Sequence, residues 1–216
     1  MTHRVLTIAG LKGGIAKTAT ATNLAAWWSA AGKRVLLIDA DPNGSASKLY
    51  RRGDGQLLLL ASSECVPLQQ APMAMAKPWD LVVVDTAGGS RDEQRTYAEG
   101  SDFVLAPCQP AASSIEQVVD LAEILKAAGK PFGVVLTMCD TRRKVDAIKT
   151  RQVLERIGLP VLASQITLLS AWPKAEAAGV AVRDARTDAD RPDAGAATAW
   201  QQVGELAAEI ETKLQP

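Results

Sequence analysis

Gly10-Leu11-Lys12-Gly13-Gly14-Ile15-Ala16-Lys17-Thr18 is the stretch on which the fold turns. It follows the apolar run Val5–Ala9, whose composition predicts a strand, and leads into Lys17–Ala31, whose pattern predicts a helix. A glycine-rich turn in that position lets successive backbone N–H groups point inward at a helix N-terminus, where they cradle phosphate oxygens. The usual form is Gly-x-x-x-x-Gly-Lys-Ser/Thr. Here Leu11 stands at the first glycine and Ala16 at the second, while Lys12 and Gly13-Gly14 are additions to the plain pattern. If position 16 requires a positive φ, alanine costs on the order of 1 kcal/mol relative to glycine.

The alternation of short apolar runs with amphipathic stretches continues to the end of the chain. It predicts an α/β fold: a doubly wound, mainly parallel sheet with helices on both faces. Strands are expected at Val5–Ala9, Arg34–Asp39, Leu57–Ala61, Asp80–Asp85, Phe103–Pro107, Phe132–Thr137 and Pro160–Ala163. Helices are expected at Lys17–Ala31, Arg91–Glu99, Ser113–Ala128, Val145–Ile157, Ser170–Ala178 and Ala196–Lys213. Gly32, Gly100, Gly129, Gly158 and Gly179 lie near helix ends, where glycine stops belong. Ser62–Pro78 shows no clear period and reads as a loop with at most one helical turn, and Arg183–Gly195 reads as a solvated loop. With 216 residues, 47% of them hydrophobic, and no internal repeat or linker, residues 1–216 are expected to form one domain.

Composition narrows the function classes. The 24 basic and 24 acidic residues cancel, so nucleic-acid binding would need local clustering of charge. Cys65, Cys108 and Cys139 are far apart and His3 is the only histidine, which encodes neither a zinc site nor a disulfide framework. They read as buried thiols in a reducing cytoplasm. No leader or membrane span is expected.

Two further motifs follow the loop in order. Asp39-Ala40-Asp41-Pro42-Asn43 closes the second strand, with two carboxylates at i and i+2 directed the same way. Leu81-Val82-Val83-Val84-Asp85-Thr86-Ala87-Gly88-Gly89 places a carboxylate at the end of a buried strand, where it can hold Mg²⁺ through water. Together with Lys12-Gly13-Gly14-Ile15-Ala16-Lys17-Thr18, these resemble the deviant Walker A ATPases of the ParA/MinD superfamily, and most closely its small ParF-like partition members. The resemblance runs nearly the whole chain, with Asn43 replacing the family's glutamine.

The resemblance implies ATP and Mg²⁺ as cofactors and slow, partner-stimulated hydrolysis. Lys12, Gly13, Gly14, Ile15, Ala16, Lys17, Thr18 and Ala19 would hold the phosphates, and Thr18, Asp39 and Asp85 the metal and its shell. Lys12, Lys17 and Asp41 would be catalytic: Lys17 neutralises charge on the transferred group, and Asp41 orients the attacking water. Lys12 reaches the nucleotide of a partner subunit, as an arginine finger does. Thr137 and Met138 are the base candidates, with Cys108-Gln109-Pro110 on the other side.

It also implies a homodimer formed on ATP binding, a ParB-like partner, nonspecific DNA binding, and a cytoplasmic, nucleoid-associated location. Arg142, Arg143, Lys144, Lys149, Arg151, Lys174 and Arg183, with Arg186, are the candidate DNA contacts, a basic face assembled from both subunits. The tail Glu205–Pro216 is net acidic and alanine-rich, unlike the membrane-binding amphipathic helix of MinD-like proteins. No helix-turn-helix precedes the first strand, so operator binding is not expected. A relative that positions a conjugation complex, a carboxysome or another assembly shares all this chemistry. A nucleotide switch with little hydrolysis is a further alternative, motivated by Ala16 and Asn43. A metal-cluster ATPase would need paired cysteines.

Overall fold

In a computed structural model that describes residues 3–58 and 62–215, seven strands form one parallel sheet. The strands are β1 (Arg4–Ile8), β2 (Val35–Ala40), β3 (Glu64–Pro67), β4 (Leu81–Thr86), β5 (Phe103–Cys108), β6 (Phe132–Cys139) and β7 (Val161–Thr167), in the order β3-β2-β4-β1-β5-β6-β7. The helices are α1 (Lys17–Ala30), α2 (Ser45–Arg52), the single turn α3 (Ala71–Ala74), α4 (Arg91–Glu99), α5 (Ala112–Ala127), α6 (Lys144–Arg156), α7 (Ala171–Ala178) and α8 (Ala196–Leu214).

Because side chains alternate across a strand, each strand feeds two cores. Leu6, Ile8, Val35, Leu37, Leu81, Val83 and Leu105 pack with α1, α2, α7 and α8. Val104, Ala106, Val134 and Leu136 pack with α5 and α6 on the other face, where Leu36, Ile38, Val82 and Val84 meet α3 and Trp79. Doubly wound packing follows. The same parity puts Asp39 with Val35 and Leu37, and Asp85 with Leu81 and Val83, on the face where α1 begins. The two aspartates are direct register partners on adjacent strands.

The outer edge of β7 is closed by side chains of α8. Glu209 accepts the N–H groups of Ala163 and Ser164 at 2.8 and 3.0 Å, and Gln202 accepts that of Thr167 at 3.0 Å. The edge is thereby withheld from pairing with another chain. Trp27 and Trp200 join α1 to α8 with ring centroids 4.9 Å apart, and Trp28 is fully buried, so these tryptophans serve packing. Among the described residues no helix is long and apolar enough to cross a membrane.

Three expectations need correction. The strand expected at Leu57–Ala61 is absent at Leu57 and Leu58, which sit in turns with both side chains buried; positions 59–61 lie outside the described residues. The edge strand is instead β3, within the predicted loop, and it pairs with β2 from Leu36↔Glu64 to Asp39↔Pro67. An edge strand tolerates Pro67 because one row of its backbone groups has no ladder partner. Helix α2 is a further element beyond those expected: its buried apolar residues are only Ala46 and Leu49, with Tyr50 packed partly against the core, after a glycine in left-handed conformation, too short a period to read. The supposedly solvated Arg183–Gly195 contains a buried anchor, Asp193, which binds Lys174 at 2.6 Å and the Gly195 N–H at 2.8 Å. Of the glycine stops, Gly32, Gly129, Gly158 and Gly179 take positive φ, and Gly100 ends α4 at φ −81°.

Candidate functional site

The loop between β1 and α1 emerges at the carboxyl edge of the sheet beside the ends of β4 and β5, where open α/β sheets bind ligands. Gly14 (φ 78°) and Ala16 (φ 66°, ψ 26°) are both left-handed, and Ala16 is the N-cap of α1. Left-handed backbone at these points turns successive N–H groups to one side and builds the anion-binding concavity. Alanine therefore does sit where glycine is preferred. Replacing Ala16 with glycine should raise stability by up to about 1 kcal/mol, the relieved strain less glycine's added unfolded-state entropy. Urea unfolding checks it, and an unchanged or lowered midpoint counts against it.

Other side chains lock the loop in place. The Thr137 hydroxyl donates to the Ile15 carbonyl at 3.1 Å, and the Gln109 amide donates to the Gly14 carbonyl. Thr137 is fully buried, so its contact is with the loop; Met138, with φ 53°, lines the adjoining cavity. The cavity, of about 610 Å³, extends from Gly13, Lys17, Thr18 and Asp41 past Met138 to an apolar end at Leu24, Ile166, Trp172 and Val203. Ile15 is buried and turned from it, whereas Gly13, Gly14, Ala16 and Ala19 line it.

Lys17, only 6% exposed, donates from its ammonium to the Lys12 carbonyl at 2.7 Å. Burial lowers its pKa, opposed by the charges of Asp85 and then Asp41. The Lys12 side chain is exposed, and its ammonium meets no acceptor among the described residues. Asp39 is buried and accepts the Ser47 N–H at 2.7 Å, which ties the start of α2 to the site. Asp41 is half-buried at the cavity wall and accepts the Asn43 N–H at 2.8 Å, an Asx turn that orients its carboxylate.

Asp85 is fully buried, yet among the described residues neither carboxylate oxygen has a partner within hydrogen-bond distance. Burial pushes its carboxyl up to about 7. Asp39 and Asp41 act in the same direction, and the Thr18 hydroxyl beside it and the Lys17 ammonium oppose them. A buried, unsatisfied carboxylate is costly unless a cation or donor answers it. A divalent cation fits that need, and Mg²⁺, which is held by one or two carboxylates together with phosphate and water, suits a single buried carboxylate beside a phosphate loop.

Within one subunit most of the candidate basic residues are paired. Arg142 pairs with Asp140 at 3.0 Å, Arg143 with Asp146 at 2.9 Å and Lys174 with Asp193 at 2.6 Å. Arg183 pairs with Asp184 at 3.0 Å, and its guanidinium lies 5.6 Å from the Trp200 ring centroid. Arg186 pairs with Asp190 at 3.5 Å, and Arg151 donates to the Leu162 and Ala163 carbonyls. Lys144 and Lys149, on α6, form no ion pair among the described residues. The α6 cations also belong to the face opposite that of α7.

Residues 6–182 match the family described as the CobQ/CobB/MinD/ParA nucleotide binding domain. The chain belongs to this family. The maintenance of carboxysome distribution protein A of Gloeobacter kilaueensis is 31% identical over 181 residues, covering 83% of this chain and 83% of that protein. The chromosome-partitioning ATPase Soj of Thermus thermophilus is 28% identical over 209 residues, covering 78% and 84%. Among solved structures, an ATP complex of a Cyanothece McdA variant superposes with TM-score 0.74 over 97% of this chain and 96% of that one, at 15% identity. The family and its fold therefore agree with the resemblance carried by the three motifs.

Proposed function

We propose that this protein is a ParA-type ATPase that binds ATP with Mg²⁺, dimerises face to face in the ATP state, and positions a cargo through a cycle of slow, partner-stimulated hydrolysis. The observation that carries the reading is the buried Asp85, unpartnered among the described residues, beside Thr18, Lys17 and Asp41, which line one end of the cavity. Thr18 and Asp85, with Asp39 beside them, would hold the metal. Magnesium, when bound, neutralises charge on the phosphate oxygens. Lys17 exchanges the Lys12 carbonyl for a phosphate oxygen, and Asp41, already oriented by its turn, positions the attacking water. Lys12 supplies its charge to the partner subunit's nucleotide. Met138 borders the base.

Two cargo readings stand. Plasmid or chromosomal DNA with a ParB-like partner is the first, supported by the likeness to Soj. Positioning of a protein assembly is the second, supported by the likeness to the carboxysome distribution protein. Both use nonspecific DNA as the track; with Arg142, Arg143, Lys174 and Arg183 paired, Lys144 and Lys149 are the candidate contacts that form no ion pair among the described residues.

Phosphate release by the purified protein, with and without DNA, tests the enzyme reading. Lys17→Ala should lower turnover by about 10²- to 10³-fold, and Asp41→Ala should abolish stimulation while ATP still binds. ATP binding without turnover in any condition would sink it and leave a nucleotide switch. DNA binding that ignores salt would remove the electrostatic track.

A further inference from the structure

Gln94, on α4, is fully buried, and the mechanism above does not use it. Its side-chain oxygen accepts the Gly10 N–H at 3.2 Å, and its side-chain nitrogen donates to the Ala87 carbonyl at 3.2 Å. Only one orientation of the amide satisfies both, since the reverse would set N–H against N–H and oxygen against oxygen. One side chain thus spans the start of the phosphate loop and the segment that follows Asp85. On the far side of Ala87, Gly88 lies so close to the loop that an added Cβ would fall 2.7 Å from the Lys12 carbonyl carbon and 2.8 Å from the Gly13 nitrogen. The Thr86 hydroxyl, bonded to the Ile8 carbonyl at 2.8 Å, fixes the same segment one residue earlier. Helix α4 is itself anchored where this segment ends, by a capping box between Ser90 and Glu93. The segment leaving the metal-binding strand therefore lies against the backbone of Lys12.

From this we infer that Gln94 is a positioning residue: it clamps Ala87 and Gly88 against the phosphate loop and so fixes where the Lys12 side chain leaves the subunit. The inference rests on the proposed ATP-dependent dimer, in which Lys12 acts on the partner's nucleotide. The clamp makes the segment after Asp85 and the lysine loop move as one body. A change at the metal carboxylate is then passed to the dimer face through two hydrogen bonds and one backbone contact. Gln94 touches neither nucleotide nor metal in this arrangement, so its loss should leave nucleotide capture largely intact.

The test compares wild type with Gln94→Met, which keeps the volume and removes both hydrogen bonds, and with Gly88→Ala, which leaves the core alone and presses on Lys12. ADP affinity should stay within about threefold in Gln94→Met, while size-exclusion chromatography with a non-hydrolysable ATP analogue should show dimerisation weakened by tenfold or more in both variants. Turnover should fall at least as far, since small misplacements of a reacting group carry large rate penalties. Hydrogen exchange at the Gly10 amide of the nucleotide-free protein gives a readout independent of the ATPase reading. Gln94→Met should accelerate it by about tenfold, the loss of one buried hydrogen bond. Dimerisation and turnover like wild type in both variants would overturn the inference, as would an unchanged Gly10 exchange rate. If the wild type neither binds ATP nor dimerises, the proposed function falls, and the Gly10 exchange rate decides the clamp on its own.

Discussion

Replacing Asp85 with asparagine should make the nucleotide-free protein more stable at pH 8 and remove the magnesium-dependent part of nucleotide binding. The carboxyl is fully buried, has no partner within hydrogen-bond distance among the described residues, and is pushed from 3.8 up to about 7 in the folded state. A carboxyl whose folded pKa lies above its unfolded value imposes no ionisation penalty below the unfolded pKa. The penalty grows between the two values and is fully present above the folded one. Wild-type stability contributed by this group should therefore fall as pH rises from about 4 to 7, and the asparagine variant should lack that decline. The full difference is on the order of 4 kcal/mol, or roughly 10 °C in Tm for a chain of this size. Denaturant unfolding at pH 5 and pH 8 measures it, and parallel pH profiles for the two proteins would refute it. Binding of Mg²⁺ with nucleotide should release a proton from the wild type below pH 7, visible in calorimetry as a dependence on buffer ionisation heat, and not from the variant.

That a site so unfavourable by itself could be located from sequence reflects how local its chemistry is. Gly13-Gly14, Lys17-Thr18, Asp39, Asp41 and Asp85 each sit at a strand end or helix start, and period-2 and period-3.6 patterns are enough to place those ends. Even the strain at Ala16 was readable, because a missing glycine has a defined consequence once the loop is recognised. Pairings across the fold were not readable. Nothing around Gln94 marks a residue that will reach Gly10, 84 positions earlier, and nothing at Gln109 announces a bond to Gly14. Thr137 drew attention as a base contact because of its strand-end position, but the sequence does not show that its hydroxyl faces the loop. The pairing within the basic stretch was no more readable: Asp140, just outside positions 142–151, folds back on Arg142, and Asp146 within them pairs with Arg143. Elements were missed where tertiary context outweighs local pattern: β3 is held by its ladder to β2, and α2 by its junction with Asp39.

Lys12→Ala should lower partner-stimulated turnover by about 10³-fold or more, the scale of an arginine finger acting across an interface, while ADP binding to the monomer changes little. The reason lies in the separation of its backbone from its side chain. The Lys12 carbonyl is held by the Lys17 ammonium at 2.7 Å and its carbonyl carbon lies against Gly88, so the backbone belongs to the subunit's own site. The side chain is exposed and, among the described residues, unpaired. An ammonium left in water with no local acceptor adds nothing to its own fold, whereas a second cation on the same phosphates would duplicate Lys17. Service to a neighbouring nucleotide is the role the arrangement leaves open, and mixing experiments can isolate it. Lys12→Ala and Asp41→Ala proteins should each be inactive alone, because one lacks the charge it lends and the other the residue that orients water. In a mixed dimer, the site built on the Lys12→Ala subunit keeps its own Asp41 and receives Lys12 from its partner, so that one site is complete. Equal amounts should recover roughly a quarter of wild-type turnover, since half of randomly assorted dimers are mixed and each has one competent site. If Lys12 instead acted on its own nucleotide, the two lesions would lie in different subunits' sites in every dimer formed. The site on the Lys12→Ala subunit would lack its lysine and the site on the Asp41→Ala subunit its aspartate, so no mixture would recover activity.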